Sequence, residues 1–356
     1  MRLRPSTNRC PKPLIPVGGV EPLFFSLFKA YEFGIRKIVV NAFHLSERVE
    51  QALREWEPLF PGMEIRCSVE KNEILGTGGG ILNILKEHSD LFQNCEGLLL
   101  QNGDTLAHFD FETLVGLGNF SSFAVSCDPL HLAKYNPLWV SKISGVWAGI
   151  GKSPPDSESR AAHFLGVHFL SGRDLALIQK NPTTFSVRPI DLFNGVYRPL
   201  VNLNQTPQSV EFFKDPSKEC FWFDMTTQEF LLEAQRHVLE SFSSSKTWGK
   251  VLMSRFPFIQ EISRGVWVKS PNPQRKSIQF TAPVVFVDNE GEDPKTIYAP
   301  LKIGPHASFI HERGPVVVVT PHSPEDAVEI VNSVVFTGNS STDTLDKQIR
   351  DKICVL

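Results

Sequence analysis

The chain is predicted to be an α/β protein over residues 1–240, a Rossmann-like, mostly parallel sheet wound with helices, followed by a smaller β-rich domain over 260–356. Three observations carry this. Short β-branched runs alternate with helical stripes over the first hundred residues, the pattern of a sheet wound with helical crossovers. Beyond about residue 260 the runs become short and β-rich (GVWVK, APVVF, PVVVV, NSVVF) between Pro, Gly and polar turns. A length of 356 residues with 41% apolar content is enough to fill both cores.

Residues 1–19, MRLRPSTNRCPKPLIPVGG, must be a loop, because Pro5, Pro11, Pro13 and Pro16 deny it helix and central-strand geometry. Arg2, Arg4, Arg9 and Lys12 make it basic, and the prolines around Lys12 would hold its ammonium as a point charge suited to phosphate oxygens. A solvated basic tail fits the same composition. A helix then opens at Glu21 and Pro22, with Phe24, Leu27, Phe28 and Tyr31 on one stripe, and closes at Gly34. KIVV (37–40) reads as a strand buried on both faces. The next helix starts near Ser46 with Val49, Leu53 and Trp56 on one side, followed by strand EIRCSV (64–69), a helix from Gly79 and strand LLLQ (98–101). Strands FAVSC and HFLGVHFL, a helix near 191–201 and another over 227–239 follow, and SFSSSK (241–246) reads as a linker. In the last part, Ile303, Gly304 and Phe309 fit one hexapeptide turn of a left-handed β-helix. Val266 and Val284 lie eighteen residues apart, as do Val316 and Val334. An irregular β-sandwich fits the same runs.

Composition excludes several functions. Thirty-six Lys plus Arg against thirty-nine Asp plus Glu leave a net charge of −3, too little basic field for a nucleic acid or an anionic membrane. No apolar run approaches the ~18 residues of a membrane span, and the proline-rich start is no secretory segment, so a cytoplasmic protein is expected. Six cysteines without CxxC spacing read as reduced structural thiols.

Wound sheets bind ligands at the carboxyl ends of their strands. Asn41, the stretch Glu73 to Gly80, and Asn102, Gly103 and Asp104 all stand there. Asp104 alone is either a turn residue or a metal ligand, and Asp224 in WFDMTT is either an N-cap or a ligand. Two aspartates without a His/Cys cluster suit Mg2+, which is held by one or two carboxylates plus substrate phosphates. LGTGGG (75–80) would let backbone approach a flat ligand, or it is a flexible turn before a helix; it matches neither GxxxxGK nor GxGxxG.

In order and spacing, RLRPSTNRCPKPLIPVGG, VNAFHLSERVEQAL, ILGTGGGI, LLLQNGDTLAHFDFETL and WFDMTTQEFLLEA closely resemble the sugar-1-phosphate nucleotidyltransferases. The similarity covers residues 1 to about 235 and is strongest to the mannose-1-phosphate guanylyltransferase and N-acetylmuramate-1-phosphate uridylyltransferase branch. It implies transfer of a nucleotidyl group from an NTP (GTP or UTP) to a sugar 1-phosphate with Mg2+. Arg2 and Lys12 match the family's triphosphate-binding arginine and lysine, and Gly76, Thr77 and Gly78 fall where the base is contacted. Asp104 and Asp224 match the two magnesium ligands. Lys152 matches the lysine that contacts the sugar phosphate, with Asn102 and Gly166 as further sugar contacts. A homo-oligomer formed through the C-terminal domain is compatible with this, as is a non-catalytic regulatory subunit of the same fold. A pure scaffold leaves Lys12, Asp104 and Asp224 without a common reason.

Three positions depart from the family. Gly151 replaces a glutamate before Lys152, and Thr226 stands in place of a glycine after the metal aspartate. Family members also begin with a buried strand and a turn resembling LAAGxGT, which here would end at Met1. Burying four or five side chains of such a strand offers about 6 to 15 kcal/mol before entropy is deducted. The sheet is therefore expected to lack its first strand, and the native product to extend upstream of Met1.

Overall fold

The structure, a computed structural model, describes residues 7, 10–93, 95–116, 120–212, 219–243, 248 and 251–252, and ten strands between 259 and 355. The chain packs as two compact units, Lys29–Trp222 and a discontinuous one of Met1–Phe28 with Phe223–Leu356.

The first segment holds a 3-10 turn at Lys12–Leu14 and a two-residue turn in which Val17 and Val20 exchange both backbone hydrogen bonds. Gly18 and Gly19 sit at φ 58° and 84° there, a left-handed pair that residues with a Cβ resist. Cys10, Ile15, Val17 and Val20 are buried, so the segment is not a solvated tail. Helix α1 (Pro22–Glu32) follows, with Phe24, Leu27 and Phe28 buried as their spacing predicts.

Within Lys29–Trp222, β1 (Lys37–Ala42), α2 (Ser46–Trp56) and β2 (Glu64–Val69) form a parallel crossover, Asn41 lying opposite Ser68. Helix α3 (Gly76–Glu87) leads to β3 (Gly97–Gln101), β4 (Thr105–His108) and α4 (Phe111–Val115). Then come β5 (Ser122–Ser126), α5 (Pro129–Lys134), β6 (Leu138–Ser141), β7 (Trp147–Ile150) and β8 (Ser159–Ser171). After α6 (Gly172–Lys180), a π-turn at Phe193–Tyr197 runs into α7 (Arg198–Asn202), followed by β9 (Gln208–Glu211) and β10 (Phe221–Asp224).

The main sheet is mixed, which corrects the expectation of mostly parallel strands. It runs β7-β6-β8-β5-β9 with β3 on β8, and β8 is antiparallel to β3, β5 and β6; only β5 and β9 run parallel in it. An apolar run such as HFLGVHFL reports burial, not direction. Nor is KIVV buried on both faces: Ile38, Val39 and Val40 are half-buried, in a strand whose partner among the described strands is β2 alone. Two apolar clusters hold this unit. One joins α3 and α6 to β5, β6 and the 192–200 turn through Phe123, Trp147, Phe193 and Tyr197; the other joins α4 to β8 through Phe111, Leu114, Leu165 and Trp222.

In the discontinuous unit, Phe25 meets Trp248 edge-on at 5.7 Å. Trp248 stacks on His237 of α8 (Gln228–Ser243). The expected linker is corrected in part: α8 continues through Ser243, and the Ser241 hydroxyl donates to His237 O at 2.6 Å, so Ser241 satisfies its hydroxyl within the helix. Residues 244–246 lie outside the described residues.

Ten further strands form two ladders. β11 (Ile259–Ser263) pairs antiparallel with β12 (Val266–Lys269), onto which β14 (Val284–Asp288), β16 (Ser308–His311), β18 (Val334–Thr337) and β20 (Ile353–Val355) add in parallel. The second ladder is parallel throughout: β13 (Ile278–Phe280), β15 (Leu301–Ile303), β17 (Val328–Val331) and β19 (Gln348–Arg350). Val266 and Val284, eighteen apart, are ladder partners. Val334 instead faces Ser308 and Ile353, and Val316 lies outside the described residues.

Candidate active site

The glycine-rich loop of the Lys29–Trp222 unit is held by backbone and side-chain hydrogen bonds to the 190–192 segment. Leu75 is right-handed (φ −75°, ψ −13°) and Gly76 left-handed (φ 70°), after which α3 begins. The Gly78 and Gly79 amides both donate to Ile190 O (3.0 and 3.1 Å), Ile190 N–H donates to Leu75 O (2.8 Å), and Leu192 N–H donates to Thr77 Oγ1 (3.0 Å). The space a side chain would need is filled by backbone: a Cβ on Gly76 would lie 2.8 Å from Ile190 O, and one on Gly78 only 2.4 Å from Asp191 O. Sequence reasoning placed a flat ligand against these glycines and missed the 188–192 segment, for which no sequence signal exists across more than a hundred residues. Asp191 is itself fixed, accepting at Oδ1 from Asn194 N–H (3.0 Å) and at Oδ2 from Asn194 Nδ2 (2.6 Å). Partial burial raises its pKa, but these hydrogen bonds outweigh it and hold the carboxyl below its ordinary value.

A second group forms at the carboxyl end of β3. Asn102 N–H donates to Gly166 O at 2.8 Å. Gly166 interrupts β8 at φ 73°, and a Cβ there would sit 2.5 Å from Asn102 Nδ2. Asp104 follows in the turn before β4, half-buried. The structure thus brings Asn102 and Gly166 together beside the Asp104 turn. On either side of Gly166 two histidines point into protein: His163, stacked on Tyr135 at 4.1 Å, and His168, sharing a 2.5 Å hydrogen bond with Tyr197. Burial, with His131 nearby, lowers the His163 pKa to about 4, and burial lowers that of His168 to about 3. Both rings are neutral near pH 7 and act as packing.

Lys152 is exposed just past β7, following Gly151 (φ 150°), whose carbonyl accepts from Trp139 Nε1 at 2.8 Å. In the other unit Lys12 is half-buried and begins its 3-10 turn directly after Pro11 (φ −64°). Asp224 ends β10 half-buried, and Thr226, standing in place of a glycine, donates its hydroxyl to Asp224 Oδ2 at 3.0 Å. Arg2 lies outside the described residues. Among the described residues no three His, Cys, Asp or Glu side chains cluster as a metal site. A Mg2+ held by one or two carboxylates and substrate phosphates requires no such cluster. Cys10, Cys67, Cys95, Cys127 and Cys220 are free thiols. Burial, aided by Glu50, pushes the Cys67 pKa up to about 11, so that thiol is inert. Among the described residues no helix is long and apolar enough to cross a membrane.

Residues 1–125, which carry Lys12, the glycine loop and Asp104, match the nucleotidyl transferase family. The match covers the first 125 of the 356 residues. The relatives it matches are sugar-1-phosphate nucleotidyltransferases. A UTP–glucose-1-phosphate uridylyltransferase of Synechocystis sp. is 32% identical over 124 residues, which is 33% of this chain and 31% of the relative. An N-acetylmuramate alpha-1-phosphate uridylyltransferase of Neisseria meningitidis is 33% identical over 31% of this chain and 45% of its own. A mannose-1-phosphate guanylyltransferase catalytic subunit beta of Xenopus tropicalis is 31% identical over 32% and 30%. The matched part therefore spans between 30% and 45% of these relatives' lengths. The UTP-bound UGPase of Acinetobacter baumannii superposes with a TM-score of 0.51 at 14% identity, over 72% of this chain and 94% of that one. That likeness shows the shared nucleotidyltransferase α/β fold, as the sequence predicts for the first domain.

Proposed function

We propose that the chain transfers a nucleotidyl group from GTP or UTP to a sugar 1-phosphate, giving a nucleotide sugar and pyrophosphate. The observation that carries this reading is the cluster at the end of β3, where Asn102 and Asp104, both in the segment similar to nucleotidyl transferases, stand beside Gly166, onto which Asn102 is locked. The sugar phosphate's own anionic oxygen, ionised near pH 7 because a phosphate monoester's second pKa is about 6, attacks the α-phosphorus in line. The bond to the β-phosphate breaks and pyrophosphate departs, so no general base is needed. In this reading Arg2 and Lys12 neutralise the triphosphate, the loop at Gly76, Thr77 and Gly78 receives the base, and Lys152, Asn102 and Gly166 hold the sugar phosphate. Asp104 and Asp224 would hold Mg2+, which supplies charge neutralisation at the phosphates when bound. Catalysis is then alignment and electrostatics. The reading takes residues 1–240 as the transfer domain and 260–356 as a left-handed β-helix through which copies associate, in a cytoplasmic enzyme.

A second reading, a nucleotide- or sugar-phosphate-binding regulatory subunit without turnover, is favoured by the Thr226 hydroxyl on Asp224, which engages one oxygen of a carboxylate assigned to the metal. Pyrophosphate release, measured over a panel of NTPs and sugar 1-phosphates together with binding of each, separates the two. Turnover supports transfer, binding without turnover supports the regulatory subunit, and neither binding nor turnover refutes both.

A further inference from the structure

We propose that Glu70 is a positioning residue for nucleotide recognition: its carboxylate holds the glycine loop so that the Gly76 and Thr77 amides are the donors presented to the nucleobase of an incoming nucleoside triphosphate. This rests on the reading of that loop as the base-contacting element. Glu70 follows β2 directly and is 6% exposed, a burial that a carboxylate tolerates only when both oxygens are partnered. Both are. Oε1 accepts from Asn41 Nδ2 at 2.8 Å, and Oε2 accepts from Leu75 N–H at 2.9 Å. Glu70's own N–H donates to Ala42 O at 2.9 Å, so its backbone is pinned to β1 as well. One carboxylate thus ties the ends of two parallel strands to the first residue of the loop.

The lock decides which amides remain. Leu75 is right-handed and Gly76 left-handed, which turns the chain sharply where the loop enters α3. Leu75 N–H is taken by Glu70, while Gly78 and Gly79 N–H are taken by Ile190 from the opposite side. Among the described residues the Gly76 and Thr77 amides have no partner, and Thr77 is exposed. Two adjacent donors held from both flanks match the ring carbonyls that guanine and uracil offer as acceptors.

Gly80 supports the same assignment. A Cβ there would lie 2.8 Å from Asn41 Nδ2 and 3.1 Å from Glu70 Oε1. The fourth glycine of the run therefore has a function that no ligand contact requires: it makes room for the Asn41–Glu70 pair against α3.

The test compares wild type, Glu70→Ala, Glu70→Gln and Gly80→Ala by calorimetric binding of GTP and UTP, by steady-state KM for nucleotide and for sugar 1-phosphate, and by amide hydrogen exchange at 75–79. Glu70→Ala is expected to weaken nucleotide binding at least tenfold, the loss of a hydrogen bond to a charged group, to leave the sugar 1-phosphate KM unchanged, and to speed exchange at 75–79. Glu70→Gln is expected to recover most of the affinity, because its oxygen can take Leu75 N–H while its amide donates to a turned Asn41. Gly80→Ala leaves both residues in place and should reproduce the nucleotide-selective loss, which keeps the test available if Glu70→Ala does not fold. Unchanged nucleotide affinity and exchange in both Ala variants overturns the proposal, as does an equal rise in both KM values. Wild type that binds neither nucleotide defeats the base-contact reading instead, and the exchange comparison then still decides whether Glu70 holds the loop.

Discussion

Helix propensity taken alone makes Gly79→Ala a stabilising change of about 1 kcal/mol. The packing reverses the sign. An added Cβ would stand 2.1 Å from the Arg188 carbonyl oxygen and 3.1 Å from its carbon, where a carbon and a carbonyl oxygen ordinarily stay ~3.3 Å apart. The obstacle is backbone, so relief requires moving the 188–191 segment by roughly 1 Å, on the scale of overpacking that costs about 1 to 3 kcal/mol. That segment carries Ile190, whose carbonyl receives the Gly78 and Gly79 amides and whose N–H bonds Leu75 O. Weakening three such bonds at about 0.5 to 1.5 kcal/mol each brings the net expectation to about 2 to 6 kcal/mol of destabilisation, after the helical gain is subtracted. Urea unfolding of Gly79→Ala against wild type measures it through the midpoint at constant slope. Lys86→Ala, on the exposed side of the same helix, serves as control and should stay within about 0.5 kcal/mol. A Gly79→Ala protein as stable as wild type, or more so, would show that the 188–191 segment does not pack on the loop.

Acid should destabilise the protein through His163 and His168. Their folded pKa values of about 4 and about 3 lie below the ordinary 6.5, so the unfolded chain takes up more protons between those limits. The stabilisation is complete above pH 6.5 and is lost as pH falls, by about 2 kcal/mol per histidine at pH 5; unfolding free energies at pH 7.5 and 5 check it. Gly166→Ala forces a left-handed residue with a Cβ against Asn102 and should cost about 1 to 2 kcal/mol, read by thermal melting, with weakened sugar 1-phosphate binding. Trp222→Phe leaves Leu165 O without its 2.8 Å buried donor and should lower stability by about 1 to 3 kcal/mol in denaturant. Asp104→Asn should cut pyrophosphate release by about a hundredfold or more with the fold intact by circular dichroism.

Helices were legible where a stripe could be read against a period: Phe24, Leu27 and Phe28 are all buried in α1, and Val49 and Leu53 in α2. The similarity to nucleotidyl transferases was legible in the loop, glycine and aspartate motifs of the first 125 residues. Strand direction was not, because Leu98–Leu100 and Val167–Leu170 are equally apolar whether they meet parallel or, as they do, antiparallel. The glycine run showed that something approaches closely without saying what. Gly78 and Gly79 admit Arg188–Asp191 of the same chain, and Gly80 admits Asn41 and Glu70. Glu70 was hidden because one acid after a strand looks like any turn residue until its two oxygens are followed to their donors. Ser241 misled by composition, since a hydroxyl that bonds back to His237 O can stay helical.

The discontinuity of the second unit has a consequence during synthesis. Phe24, Phe25 and Phe28 emerge from the ribosome before the rest of their unit, whereas α8 and Trp248 arrive roughly two hundred residues later, about 10 to 40 seconds at ordinary elongation rates of ~5 to 20 residues per second. The Lys29–Trp222 unit has all its residues before then. Phe25 therefore waits without its Trp248 contact, in a short aromatic segment of the kind chaperones bind. Closing so long a loop is slow in rate though modest in free energy.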